Sequence, residues 1–155
     1  NVATMKYTYD MISDAYYDGR TICIFRLSDV ILCKAEIENN LNGPAAALPY
    51  LNQIRARAGA PEYGKHNRFP APSTKEAMND AILKERGYEL VFEFQRRADL
   101  IRFGKYEEVV NAHLKKLGIA QPTNVTSSLR YFPYPLNDAQ LNPNLAAENP
   151  SRLLK

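Results

Sequence analysis

A chain of 155 residues fits one domain or one lobe of a larger protein. Its apolar fraction of 45% and charged fraction of 24% are ordinary for a globular protein, and 20 basic against 17 acidic residues leave a net charge of only +3, which excludes an electrostatic nucleic-acid footprint. No run approaches the ~18–20 apolar residues that a membrane-spanning helix requires.

Residues 1–25 form a polar, aromatic lead-in with Tyr7, Tyr9, Tyr16 and Tyr17 and a turn signal at Asp18-Gly19. No charged stretch followed by an apolar one marks a signal peptide, and the chain opens at Asn1 as a fragment would, so export is neither indicated nor excluded. Residues 21–25 are β-branched and apolar and read as extended. From Arg26 the period changes. Leu27, Ile31 and Ala35, completed by Val30 and Leu41, predict the apolar face of a first helix, and Asn39, Asn40 and Asn42-Gly43 stop it. Pro44 suits the first turn of a second helix with its stripe at Ala45, Leu48, Leu51, Ile54 and Ala58, closed by Gly59. Residues 26–59 therefore predict an antiparallel helical hairpin, the unit of helical-repeat proteins, of which one clear copy is visible. Cys23 and Cys33 are too few for a disulfide framework, and their apolar neighbours predict two small buried hydrophobes.

After a Gly-, Pro- and Asn-rich loop over 59–72, the capping box Ser73-x-x-Glu76 predicts the start of a third helix. Met78, Ile82 and Leu90 carry that helix to about Phe94. Shorter helices are expected over 98–103 and 106–117, separated by Gly104 and closed by Gly118, so that 73–118 is a run of helices. Residues 119–155 read as a Pro/Asn-rich tail of long ordered coil, stiffened at Pro133-Tyr134-Pro135. The expected fold class is all-α: a tetratricopeptide-like helical hairpin, further helices and a coiled C-terminus.

The carboxylate line Glu85, Glu89, Glu93, at i, i+4, i+8, is the first candidate for chemistry. Like charges at this spacing repel by a few tenths of a kcal/mol per pair, so something must compensate. A metal or acid/base site is one answer, and a metal-dependent hydrolase would follow from it. A di-metal bundle wants Glu-x-x-His, however, and neither His66 nor His113 has a glutamate three residues before it. The other answer is a structural ion-pair network in which Arg55, Arg86, Arg96 and Arg102, with Asp99 nearby, hold the helices through bidentate contacts. The second answer is preferred. No nucleophile–base pair and no glycine-rich phosphate loop is apparent, so no enzyme, metal or cofactor is expected. Ten tyrosines and six phenylalanines, without tryptophan, offer faces for stacking. Tyr16 and Tyr17, beside a turn, are the candidates for ligand contact.

Three separated stretches resemble the SusD/RagB family of Bacteroidetes surface lipoproteins. The first runs from Arg26-Leu27-Ser28-Asp29-Val30 through Ala35-Glu36 to Leu51-Asn52-Gln53-Ile54-Arg55-Ala56-Arg57-Ala58-Gly59 and is similar to the family's helical hairpin. The second is Ile82-Leu83-Lys84-Glu85-Arg86-Gly87-Tyr88-Glu89-Leu90-Val91-Phe92-Glu93, continued by Arg96, Asp99-Leu100, Arg102 and Gly104. The third is Tyr131-Phe132-Pro133-Tyr134-Pro135 with Asn142-Pro143-Asn144-Leu145 and Glu148-Asn149-Pro150, which resembles the family's ending. Phe94, Arg97 and Ser151 depart from the pattern. The resemblance implies that residues 1–155 are the C-terminal region of an all-α protein with tetratricopeptide-like helix pairs. It implies non-catalytic capture of oligosaccharides, or in some members peptides, at the outer-membrane surface, for hand-over to a SusC-like TonB-dependent transporter. The implied lipid anchor is N-terminal, and Cys23 is not it. The matched motifs are structural ones and carry no ligand-binding residue across. A generic tetratricopeptide-like interaction scaffold is the alternative, and repeated copies at a ~34-residue period would favour it.

Overall fold

In the computed structural model, the residues described are 23–118, 125–132, 134–142 and 144. Helix α1 spans Leu27–Asn42 and α2 spans Pro44–Arg57. They are joined by the single residue Gly43, whose φ of 90° lies where a side chain is strained. The reversal brings the two helices side by side as an antiparallel hairpin. At the end of α2, Gly59 N–H bonds to the Ala56 carbonyl and Ala60 N–H to the Arg55 carbonyl. That paired closure lets glycine turn the chain out of the helix with its last carbonyls satisfied.

Helix α3, Lys75–Glu89, lies across both members of the hairpin. Its cap is Thr74, whose hydroxyl accepts from the Ala77 N–H at 3.1 Å, one residue later than the expected capping box. It also ends five residues earlier than periodicity suggested. The cause is the backbone at Phe92 and Phe94, both at φ 62°, a region bulky side chains rarely enter. Helices α4 (Arg96–Arg102) and α5 (Tyr106–Lys116) follow. In the C-terminal part, a 3₁₀ turn at Ser127–Arg130 and helix α6, Leu136–Leu141, stand where coil was expected. Among the described residues there is no β-strand, only isolated bridging such as that between His66 and Phe69. The all-α class and the tetratricopeptide-like hairpin are as the sequence implied.

The core is made by Leu32 and Ala35 of α1, Ala47, Leu51 and Ile54 of α2, and Met78, Ala81 and Ile82 of α3. On α1 the buried face is Ser28, Leu32, Ala35 and Asn39. The expected face was rotated from this one: Ala35 is shared and Ile31 is half-buried, but Leu27, Val30 and Leu41 are exposed. Helix α1 carries apolar residues on two sides, and periodicity does not choose between them. On α2, Leu51 and Ile54 are buried as expected, whereas Ala45 and Ala58 are exposed. Both cysteines are exposed, against the expectation of burial: Cys33 lies on the outer part of α1, and Cys23 precedes the helix. Asn39, fully buried, donates to the Lys75 carbonyl and to Asn79 Oδ1, each at 2.8 Å. The end of α1 is thereby stitched to the start of α3.

Candidate functional site

The charged residues of the matched motifs converge on the seam between the hairpin and α3–α4. Arg86 of α3 is the centre. Its guanidinium meets Asp29 of α1 and Asp99 of α4, each at 2.8 Å, and donates to Cys33 Sγ at 3.5 Å. Arg55 of α2 pairs with Glu85 at 2.6 Å, both side chains buried. Glu89 receives Arg57 at 2.7 Å and also Arg26, which precedes α1 and reaches on to Glu93 at 2.8 Å. Arg102 joins Glu36 of α1 to Asp99. Every helix from α1 to α4 thus contributes a charge to a lattice of three neighbouring groups: Arg55 with Glu85, Arg57 and Arg26 with Glu89 and Glu93, and Arg86 and Arg102 with Asp29, Glu36 and Asp99.

This geometry explains how three like charges in sequence coexist. Glu85 and Glu89 lie on α3, and Glu93 sits in the turn beyond its end, drawn back by Arg26. Burial by itself would push the Glu89 carboxyl up, but hydrogen bonds from Arg26 and Arg57 outweigh it and hold the group below the ordinary glutamate range. Burial likewise opposes the charge on Arg86. Asp99 and Asp29 more than offset it, so the guanidinium stays protonated. Guanidinium groups occupy the carboxylates. Among the described residues, no cluster of three or more His, Cys, Asp or Glu could hold a metal ion.

Of the residues singled out from sequence, Glu85, Glu89, Glu93, Arg55, Arg86, Arg102 and Asp99 are brought together. Arg96 is not among them: it is exposed, and its guanidinium packs on Gly87 and donates to the Leu83 carbonyl at 2.7 Å. Four members escaped sequence reasoning: Arg26, Asp29, Glu36 and Arg57. All four stand in the quoted hairpin motif, so their charge within a matched stretch was the available signal. Tyr16 and Tyr17 lie outside the described residues. Arg97, a departure from the family pattern, stacks over Tyr106 and Phe132 at 5.5 and 4.5 Å and donates to the Leu129 and Arg130 carbonyls. It ties the C-terminal segment to α4 and α5.

Beside the lattice, α3 and the loop over 59–72 enclose an open cleft of about 690 Å³. The loop wall is pinned. The Asn52 side chain holds both the N–H and the carbonyl of Tyr63, at 2.8 and 2.9 Å. Arg55 donates to the Pro61 carbonyl at 2.6 Å and lies against the rings of Tyr63 and Phe69, 4.6 and 4.8 Å from their centroids. Two smaller hollows of about 490 and 300 Å³ adjoin the cleft, and Lys84 borders all three.

Fold and lattice together define an all-α scaffold, a tetratricopeptide-like hairpin braced against further helices by buried ion pairs. The chain belongs to the SusD family, whose sequence profile matches residues 2–151. It is 39% identical over 122 residues to the SusD-like protein P25 of Formosa agariphila, a match covering 79% of this chain and 22% of that protein. It is 37% identical over 95 residues to the SusD-like protein P38 of the same organism, covering 60% of this chain and 19% of that protein. It is 28% identical over 137 residues to the starch-binding protein SusD of Bacteroides thetaiotaomicron, covering 87% of this chain and 22% of that protein. The chain thus spans about a fifth of the length of these curated relatives. No solved structure matches it.

Proposed function

We propose that residues 1–155 are the C-terminal scaffold of a longer surface protein that binds oligosaccharide nutrients without cleaving them. In this reading the protein sits at the outer membrane and passes its ligand to a SusC-like TonB-dependent transporter. The observation that carries the proposal is the family match over 2–151, with a relative named for starch binding among those that align. The site chemistry supports it as well. The carboxylates Glu85, Glu89 and Glu93 of the motif segments are engaged by arginines, an arrangement that braces helices. Among the described residues no helix is long and apolar enough to cross a membrane. Tyr16 and Tyr17 are proposed ligand contacts, stacking on sugar rings, and peptides are the alternative cargo.

The test is a glycan array followed by calorimetry on the full-length protein, with co-purification of a TonB-dependent channel. Saturable glycan binding without release of cleaved product is expected. Binding to no glycan or peptide, together with no associated channel, would overturn the proposal and leave a tetratricopeptide-like interaction scaffold in its place.

A further inference from the structure

We infer that the cleft between α3 and the 59–72 loop is a saccharide subsite selective for anionic sugars, those carrying a carboxylate or sulfate group. The inference rests on the glycan-binding reading above and names the class of ligand. Its basis is the charge that remains once the lattice is accounted for. The two carboxylates bordering the cleft, Glu85 and Glu89, are neutralised by Arg55 and by Arg26 with Arg57. Lys84 and Arg68 border it too, both exposed, and among the described residues neither forms an ion pair. The uncompensated charge facing the cleft is therefore cationic. Asp80, a turn before Lys84 on α3, borders only the two smaller hollows, which leaves the main cleft positive.

The walls suit a sugar. Tyr88, one turn beyond Lys84, is 62% exposed, and the Lys84 ammonium lies 6.0 Å from its ring centroid. The ammonium lies over one face of this exposed ring, which holds it at the cleft edge where it can meet the anionic substituent of a sugar packed against the ring. A volume of about 690 Å³ is within the usual range for small-ligand sites. The facing wall is held by Asn52 and Arg55 before any ligand arrives, so little ordering entropy remains to be lost on binding. The adjoining hollows along α3 give further residues of a chain somewhere to lie.

The experiment is calorimetry on the full-length protein with three probes: oligogalacturonate for a carboxylated chain, carrageenan oligosaccharide for a sulfated one, and maltoheptaose as the neutral comparator. At least one acidic probe should bind more tightly than maltoheptaose and weaken as salt rises, as an electrostatic contact must. Lys84→Ala with Arg68→Ala should reduce acidic-probe affinity at least tenfold and by a much larger factor than any change in maltoheptaose affinity, with the melting temperature unchanged. Lys84→Arg should retain most of the affinity. Should the double variant melt lower, the salt dependence of the unmodified protein still decides. Acidic binding that ignores both substitutions or ignores salt overturns the subsite, as does a preference for maltoheptaose, and in each case general glycan binding survives. Failure of all three probes on a protein that does bind another, neutral glycan also overturns the subsite alone. Absence of any glycan binding removes both readings.

Discussion

Arg86 is the residue whose loss should cost the fold most. Its side chain is 3% exposed and stands between two carboxylates at 2.8 Å, so its removal strands charge that cannot reach water. After Arg86→Ala, buried Asp99 keeps only Arg102 at 3.1 Å, and Arg102 is itself half in solvent. Breaking one side of a buried pair costs about 3–5 kcal/mol, because the desolvation already incurred is no longer offset. Replacing both partners by apolar residues is far milder. Arg86→Met with Asp99→Leu should therefore regain much of the loss, although Asp29 and Arg102 also give up a partner. Urea unfolding followed by circular dichroism measures both variants, and an unchanged slope with denaturant certifies that the unfolding reaction is the same. A loss below ~1 kcal/mol for Arg86→Ala, the scale of exposed pairs, would refute the claim that this lattice is buried and structural.

Other expectations follow from the same geometry. The depressed Glu89 carboxyl contributes stability that is present above its unfolded pKa and is lost as pH falls through its lower folded value. Glu89→Gln should therefore lower stability at neutral pH and flatten the decline below about pH 4.5, as read from melting temperature against pH; an unaltered acid limb would count against the Arg26–Glu89–Arg57 contact. Asn39→Ala should cost about 1 kcal/mol in chemical denaturation, since it removes two hydrogen bonds from a fully buried side chain to half-buried Asn79 and the exposed Lys75 carbonyl. A loss indistinguishable from zero would show that α1 and α3 are not stitched there. Phe94 is 89% exposed with φ 62°, so Phe94→Gly relieves strain and should stabilise by about 1 kcal/mol. Destabilisation by the same amount would show that the ring is needed for packing.

How much was legible varied with the kind of signal. The turn at Gly43, the stop at Gly59 and the span of α5 were readable because φ restriction and helix termination are local properties. The end of α3 was not: 90–94 continues the helical pattern, and only the strained turn at Phe92 and Phe94, with Glu93 drawn to Arg26, ends it. The lattice was half legible. Like charges at i, i+4 announced that cations must be near, yet which arginine serves which carboxylate depends on helix crossings. Arg26 and Arg57 therefore went unassigned, and exposed Arg96 was placed where it does not belong.

The sequence by itself determined the class of the fold, the hairpin and the family, because periodicity, capping residues and motif order are written along the chain. Tertiary structure alone decided which side of α1 is buried. With apolar residues on both sides, the choice fell to Leu51, Ile54, Met78 and Ile82, which close around Leu32 and Ala35 and leave Leu27, Val30 and Leu41 outside. It also decided that Lys84 and Arg68 border a cleft whose acidic neighbours are already neutralised, since an uncompensated charge exists only once every other charge has its partner.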